Sequence, residues 1–284
     1  MQRMTDVLTH IAVWLNAVSN AMGSVLLAPV AVLPGWLSAT AIAAVTGLML
    51  LLVFKYTSNQ RAIKRARDDI RAHRLGRKLF KQNASAAFRT QGRIIAAAFR
   101  LLALAVPPTL VMVVPVLLLW GQMALWYQSR PLRVGEEAVV SLELNGDIGD
   151  AWPEMRLRPT DAAEVTAGPV RMFSQGEVCW SIRARKSGYH RLVIDVEGRP
   201  YEKELAVGNG YMQVSAVRPA WCWTDILLYP AERPFSPESP VQSIRIDYPR
   251  RDSWTSGADR WAIYWFAASL VAALCFRPWL RVNI

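Results

Sequence analysis

Residues Lys55–Arg100 read KYTSNQRAIKRARDDIRAHRLGRKLFKQNASAAFRTQGRIIAAAFR, and their charge decides the fold. The stretch holds thirteen Lys/Arg against two acids, Asp68 and Asp69, a local net charge of +11 that equals the net charge of all 284 residues. Uncharged apolar runs flank it, Leu37 to Phe54 and Leu101 to Trp126. Each is long enough to cross a bilayer as a helix at about 1.5 Å per residue. Short loops rich in Lys/Arg stay on the cytoplasmic side. The pattern therefore predicts an integral membrane protein whose first span runs inward and whose second returns outward.

A third apolar run, Trp261 to Phe276, is bracketed by Arg260 and Arg277. Its length, about 24 Å of helix, falls slightly under a typical span. It reads either as an interfacial or re-entrant helix or as a short span. In the second reading the end arginines snorkel and Trp261, Trp265 and Trp279 sit near the interfaces. Parity favours the span, because it returns Arg277 and Arg281 to the inner side.

The N-terminal run Val7 to Phe54 carries no Asp, Glu, Lys or Arg. Within it Val7, Ile11, Trp14, Leu15, Val18, Met22 and Leu26 fall at helical spacing, opposite a stripe of Asn16, Ser19, Asn20 and Ser24. This suits a helix lying in the membrane interface, ended by Pro29, Pro34 and Gly35. An extra span is the alternative, and a cleaved signal peptide fits less well because the leading residues are weakly basic.

Between the outer spans the period changes. Val140, Leu142 and Leu144 alternate with polar residues, as do Leu192, Ile194 and Val196, and then Ile244, Ile246 and Tyr248. Short alternating segments between turns predict an antiparallel, immunoglobulin-like β-sandwich. The prolines at 230, 234, 237 and 240 belong to a connecting loop, and Gly208, Asn209 and Gly210 to a turn. Oxidising surroundings would permit a disulfide between Cys179 and Cys222, although alternation puts Cys179 on the face away from the core. Cys275 reads as membrane packing.

The expected organisation is an interfacial amphipathic helix over 1–35, a first span over 36–56, a basic cytoplasmic helical hairpin over 57–100, and a second span over 101–127. An inserted extracytoplasmic β-domain over 128–257 and a third span with a cytoplasmic tail over 258–284 complete it. The hairpin's first arm runs Gln60 to Phe80, with Ala62, Ile63, Ala66, Ile70 and Leu75 as a thin apolar stripe. Asn83 and Ser85 are turn or cap residues, and His73 and Arg77 interrupt any strict coiled-coil seam. Pro107, Pro108 and Pro115 should kink the second span and free carbonyls that need partners in a bilayer. Small residues of the first span, including Ala43 and Gly47, should let helices approach closely.

No catalytic constellation emerges. His10, His73 and His190 are scattered without a second metal ligand at useful spacing, and no nucleophile, phosphate-cradling or Cys-x-x-Cys motif occurs. Asp195 and Glu197 read as solvent-facing strand residues. The expectation is a non-enzymatic protein with neither cofactor nor metal. The basic hairpin could hold topology and contact anionic headgroups, touch ribosomal RNA through phosphates, or form a positive mouth to the membrane bundle. Lys64, Arg65, Arg67, Arg71, Arg74, Arg77 and Lys78 are the headgroup or ribosome candidates.

The stretch LLVFKYTSNQRAIKRARDDIRAHRLGRKLFKQN, Leu51 to Asn83, together with this order of elements, resembles the YidC/Oxa-type membrane-protein insertase superfamily. It is most similar to the three-span branch, which includes archaeal YidC-like proteins and the insertase subunit of the endoplasmic-reticulum membrane complex. The resemblance implies a membrane groove that receives hydrophilic client segments. It makes Thr40, Thr46, Lys55, Arg93 and Arg100 candidate groove or mouth residues. Two features depart from the family. The first span is uncharged from Gly35 to Phe54, where the bacterial insertases carry an arginine, and a whole domain replaces the short loop between the second and third spans. The implied function is insertase-like or chaperone-like work in membrane-protein biogenesis, with lipids, nascent membrane proteins and a ribosome or translocon as partners. A scaffolding protein whose β-domain binds an envelope partner is the alternative, and a bacterial inner membrane is the expected location.

Overall fold

A computed structural model describes residues 2–27, 33–79, 84–145, 152–253, 255, 260–280 and 282. Pro29, Phe80, Asn83, Gly257 and Arg281 lie outside the described residues. So do the side chains of Met22, Ser24, Leu26, His73, Arg74, Leu75, Arg77, Lys78, Ser85 and Arg93. The helices are α1 (Gln2–Leu26), α2 (Gly35–Thr57), α3 (Gln60–Leu79), α4 (Ala84–Tyr127), α5 (Trp223–Leu228) and α6 (Arg260–Leu280). The strands are β1 (Glu137–Leu144), β2 (Met155–Leu157), β3 (Ala163–Met172), β4 (Glu177–Ala184), β5 (Gly188–Val196), β6 (Arg199–Val207), β7 (Val217–Arg218) and β8 (Val241–Ile246). Three stretches, Gly35–Thr57, Ile94–Tyr127 and Arg260–Leu280, are long and apolar enough to cross a membrane. The chain divides into two compact units, residues 1–39 with 117–264, and residues 40–116 with 265–284.

In the first unit the strands form a five-stranded sheet, ordered β3-β4-β1-β8-β7, and a three-stranded sheet, ordered β2-β5-β6. All strand pairings are antiparallel. One core fills the space between the sheets. It takes Val140, Leu142 and Leu144 from β1, Val178, Trp180 and Ile182 from β4, and Leu192, Ile194 and Val196 from β5. These are the alternating positions of the sequence, as a period of two requires when one face is buried. Ion pairs such as Arg183–Glu137 and Arg185–Glu164 decorate the outer faces. Such exposed pairs contribute little, and apolar burial holds the domain.

One charge breaks the pattern. Lys203 of β6 is in phase with Leu205 and Val207 and is fully buried. Its ammonium pairs with Glu232 and donates to Ser215 O at 2.6 Å and Ser215 Oγ at 3.0 Å. Glu232 also accepts the Ser215 hydroxyl proton and the Glu204 N–H. An unpaired buried ammonium would cost several kcal/mol, so this network is what allows a lysine in the apolar phase. Burial lowers the Lys203 pKa, with Glu232 opposing the shift.

The possible disulfide is not formed. Cys179 and Cys222 are free thiols. Cys179 faces outward and lies 3.4 Å from Ser141 Oγ, while Cys222 precedes α5 and lies 3.0 Å from Thr224 Oγ1.

The N-terminal helix has its polarity reversed relative to a helix in water. Val7, Ile11, Trp14 and Val18 are exposed, Trp14 by 66%, whereas Asn16 is buried. The Asn16 amide donates to Ile226 O of α5, and the Asn20 amide donates to Pro230 O at 2.6 Å. Gln122 near the end of α4 donates to Asn20 Oδ1. His10 meets Trp221 edge-on at 5.1 Å. The polar stripe therefore docks on the β-domain, and the apolar face is left exposed.

Pro107, Pro108 and Pro115 lie within α4, which runs on through all three. One correction concerns the third apolar run. The third apolar helix continues past Phe276 through Arg277 and Pro278 to Leu280. Its 21 residues give about 32 Å, enough to cross the hydrocarbon. Trp261 is buried against Trp120 at 5.2 Å and Trp265 is buried too, so of the three expected interfacial tryptophans only Trp279 is exposed.

Candidate functional site

In the second unit the basic arm is built as a one-faced helix. α2 ends at Thr57, and the Asn59 side chain accepts the Ala62 N–H at 3.0 Å, capping α3. Ile63 and Ala66 are buried and Ala62 and Ile70 half-buried, which matches the predicted stripe. Lys64, Arg65 and Arg71 are exposed, and Arg67 is half-buried. Arg71 is balanced only weakly by Asp68 at 4.0 Å. Burial, with Arg277 and Arg71 nearby, lowers the Arg67 pKa. Lys64, Arg65 and Arg71 thus present positive charge to the surface, with Arg67 partly beneath them.

The candidate groove residues do not share one open surface. Thr46 is 2% exposed, and its hydroxyl donates to Ile42 O of its own helix at 2.7 Å. Ala43, Thr46, Gly47 and Leu51 form the packed side of α2. A Cβ on Gly47 would lie 2.2 Å from Ser269 O of α6, so the two backbones nearly touch there. Thr46 is buried beside this close approach. Thr40 is half-buried on the same helix. Lys55 is half-buried in the last turn of α2, 5.9 Å from the Tyr56 ring centroid. Arg100 is exposed on α4.

In contrast, only 6% of the apolar window of α4 is buried. Phe99, Leu102, Leu110 and Val111 are exposed, Leu110 by 65%. Prolines at 107, 108 and 115 cannot donate to the carbonyls four residues earlier, those of Ala103, Leu104 and Val111. The second span thus combines an unpacked apolar surface with three carbonyls lacking their usual helical donors. Among the described residues no three His, Cys, Asp or Glu side chains gather as metal ligands.

Comparison with known proteins finds no matching family model, no matching curated protein and no matching solved structure.

Two features escaped the sequence reading. The Lys203–Glu232 pair was signalled by a lysine in the apolar phase of a strand, but its partner comes from the proline-rich loop. Arginines at 130, 133, 250 and 251 come together although more than a hundred residues separate the pairs. Their positions beside the second and third spans were the available clue.

Proposed function

We propose that this chain is an insertase-like or chaperone-like factor for membrane-protein biogenesis, of the YidC/Oxa type suggested by its order of elements. The observation that carries this reading is the second span. In hydrocarbon, a free backbone carbonyl costs several kcal/mol unless something bonds to it. A span with three such carbonyls and an unpacked surface suits a polar client segment or water beside it, and lowers the barrier to that segment's passage. The basic hairpin would stand on the cytoplasmic side of a bacterial inner membrane and attract acidic client segments or ribosomal RNA.

Because Thr46 is buried, α4 is the better place for a probe. A photoreactive residue at Leu110 should give adducts with arrested nascent membrane proteins that depend on chain length. Lipid adducts alone would sink the proposal. Charge reversal at Arg65, Arg67 and Arg71 should abolish co-sedimentation with ribosomes, and persistence would remove the ribosome from the reading.

The scaffold reading draws on one observation. β3 is an edge strand whose Val165 and Val170 are exposed, with Phe173 following. An immunoglobulin-like domain with such an edge could add a strand from an envelope partner. Adducts from Leu110 with one stable envelope protein, and none with nascent chains, would favour it.

A further inference from the structure

The chain leaving α4 and the chain approaching α6 are paired by their backbones. Arg130 N–H donates to Pro249 O at 3.0 Å, Arg251 N–H donates to Gln128 O at 3.3 Å, and Ser129 bridges Arg250. The pairing places Arg130, Arg133, Arg250 and Arg251 around one cleft of about 440 Å³, with Tyr211 and Asp252 also lining it. Arg130 lies three residues past the last residue of α4, a helix long and apolar enough to cross a membrane.

The four guanidinium groups are not equivalent. Arg130 is forked onto Glu136 through two bonds of 2.7 Å, which neutralises it. Arg133 and Arg250 are exposed, and no carboxylate among the described residues forms an ion pair with either. Arg251 lies deeper. Its guanidinium stacks 4.0 Å from the Tyr211 ring centroid and its Nε donates to Trp126 O at 3.0 Å. Its Nη2 is buried with no hydrogen-bond partner. Buried polar atoms are nearly always bonded, and an orphaned guanidinium N–H is costly. Tyr211 is itself fixed by contact with Gly35, where a Cβ would come within 1.7 Å of its hydroxyl.

From this geometry we infer that the cleft binds a phosphate group, that of a phospholipid headgroup at the leaflet facing the β-domain, with the exposed Arg133 and Arg250 as its donors and the Arg251 charge behind them. Guanidinium forks match phosphate oxygens in pairs and are weakly hydrated, which suits a half-buried site. Burial lowers the Arg251 pKa, the mark of a cation short of solvent. Asp252 is the one acid among the lining residues, and with Arg130 neutralised by Glu136 the cleft still carries surplus positive charge. A lipid placed here would have its acyl chains beside the end of α4. The site is independent of the insertase reading.

The test uses the full chain in detergent and counts bound lipid by native mass spectrometry, with phosphatidylglycerol compared with phosphate-free diacylglycerol. The wild-type protein should retain phosphatidylglycerol selectively. The double variant R133Q/R250Q, altered only at exposed side chains, should retain roughly tenfold less, as should R251Q. In a parallel arm, inorganic phosphate is titrated against the thermal midpoint without lipid. A midpoint rise that R251Q abolishes, without lipid retention, would identify a soluble phosphate as the source of the same chemistry. Equal retention of both lipids together with no response to phosphate, or retention unchanged in both variants, would overturn the proposal.

Discussion

At the scale of single residues, two ionic contacts of the β-domain respond differently to change. The hydrogen bonds from Arg130 hold the Glu136 carboxyl down from an ordinary 4.5 to about 2, with the Arg133 N–H assisting and burial opposing. The native value lies below the unfolded one. The pair's contribution is therefore complete above about pH 4.5 and disappears as pH falls through about 2. Glu136→Gln should flatten stability across that window, as followed by thermal midpoint against pH, and an unchanged acid limb would refute the assignment. Lys203→Met removes a cation and leaves Glu232 buried, so it should cost about 3–5 kcal/mol. The pair K203M/E232Q should cost less than K203M alone, because no buried charge then remains. Equal losses would show that Glu232 is not held by Lys203. The lysine was legible in the sequence as an apolar-phase charge on β6. Glu232 was not, because a loop carries no period that reveals where its side chains point.

At the scale of elements, the seam between α2 and α6 depends on the absence of a side chain at Gly47. Gly47→Leu must separate the helices or move the Ser269 carbonyl, and should destabilise the pair by about 1–3 kcal/mol. Unfolding in mixed micelles measures this, and a neutral result would mean that the seam is looser than described. The small residues of the first span announced this close approach. What they could not announce was that Thr46 would fall inside the seam, since helical spacing places a residue on a face without saying what that face meets. The β-strands were the most legible elements, because alternation fixes which side chains enter the core. The direction of the polar stripe on α1 was hidden. Amphipathicity is symmetric, and a polar face can turn toward water or toward buried carbonyls such as those of Ile226 and Pro230.

For the molecule as a whole, uncharged apolar runs were enough to locate three helices long and apolar enough to cross a membrane, and alternation located the β-rich region between the second and third. Contacts that join distant stretches were beyond that logic, and the four-arginine cleft is the clearest case. The division into two units also predicts separable losses. Reversing charge at Lys64, Arg65 and Arg71 should leave the thermal midpoint of the β-domain unchanged while weakening binding to anionic vesicles, with about 1 kcal/mol lost per residue near the surface. A falling midpoint would contradict that separation.

The reversed polarity of α1 also has a consequence in time. Its two asparagine amides find their acceptors 210 residues further along the chain. At roughly 5–20 residues per second, a ribosome reaches that point about 10–40 s after making the helix. Throughout that interval these acceptors do not yet exist and the amides of Asn16 and Asn20 must bond to water or to other partners, so α1 is made long before it can dock.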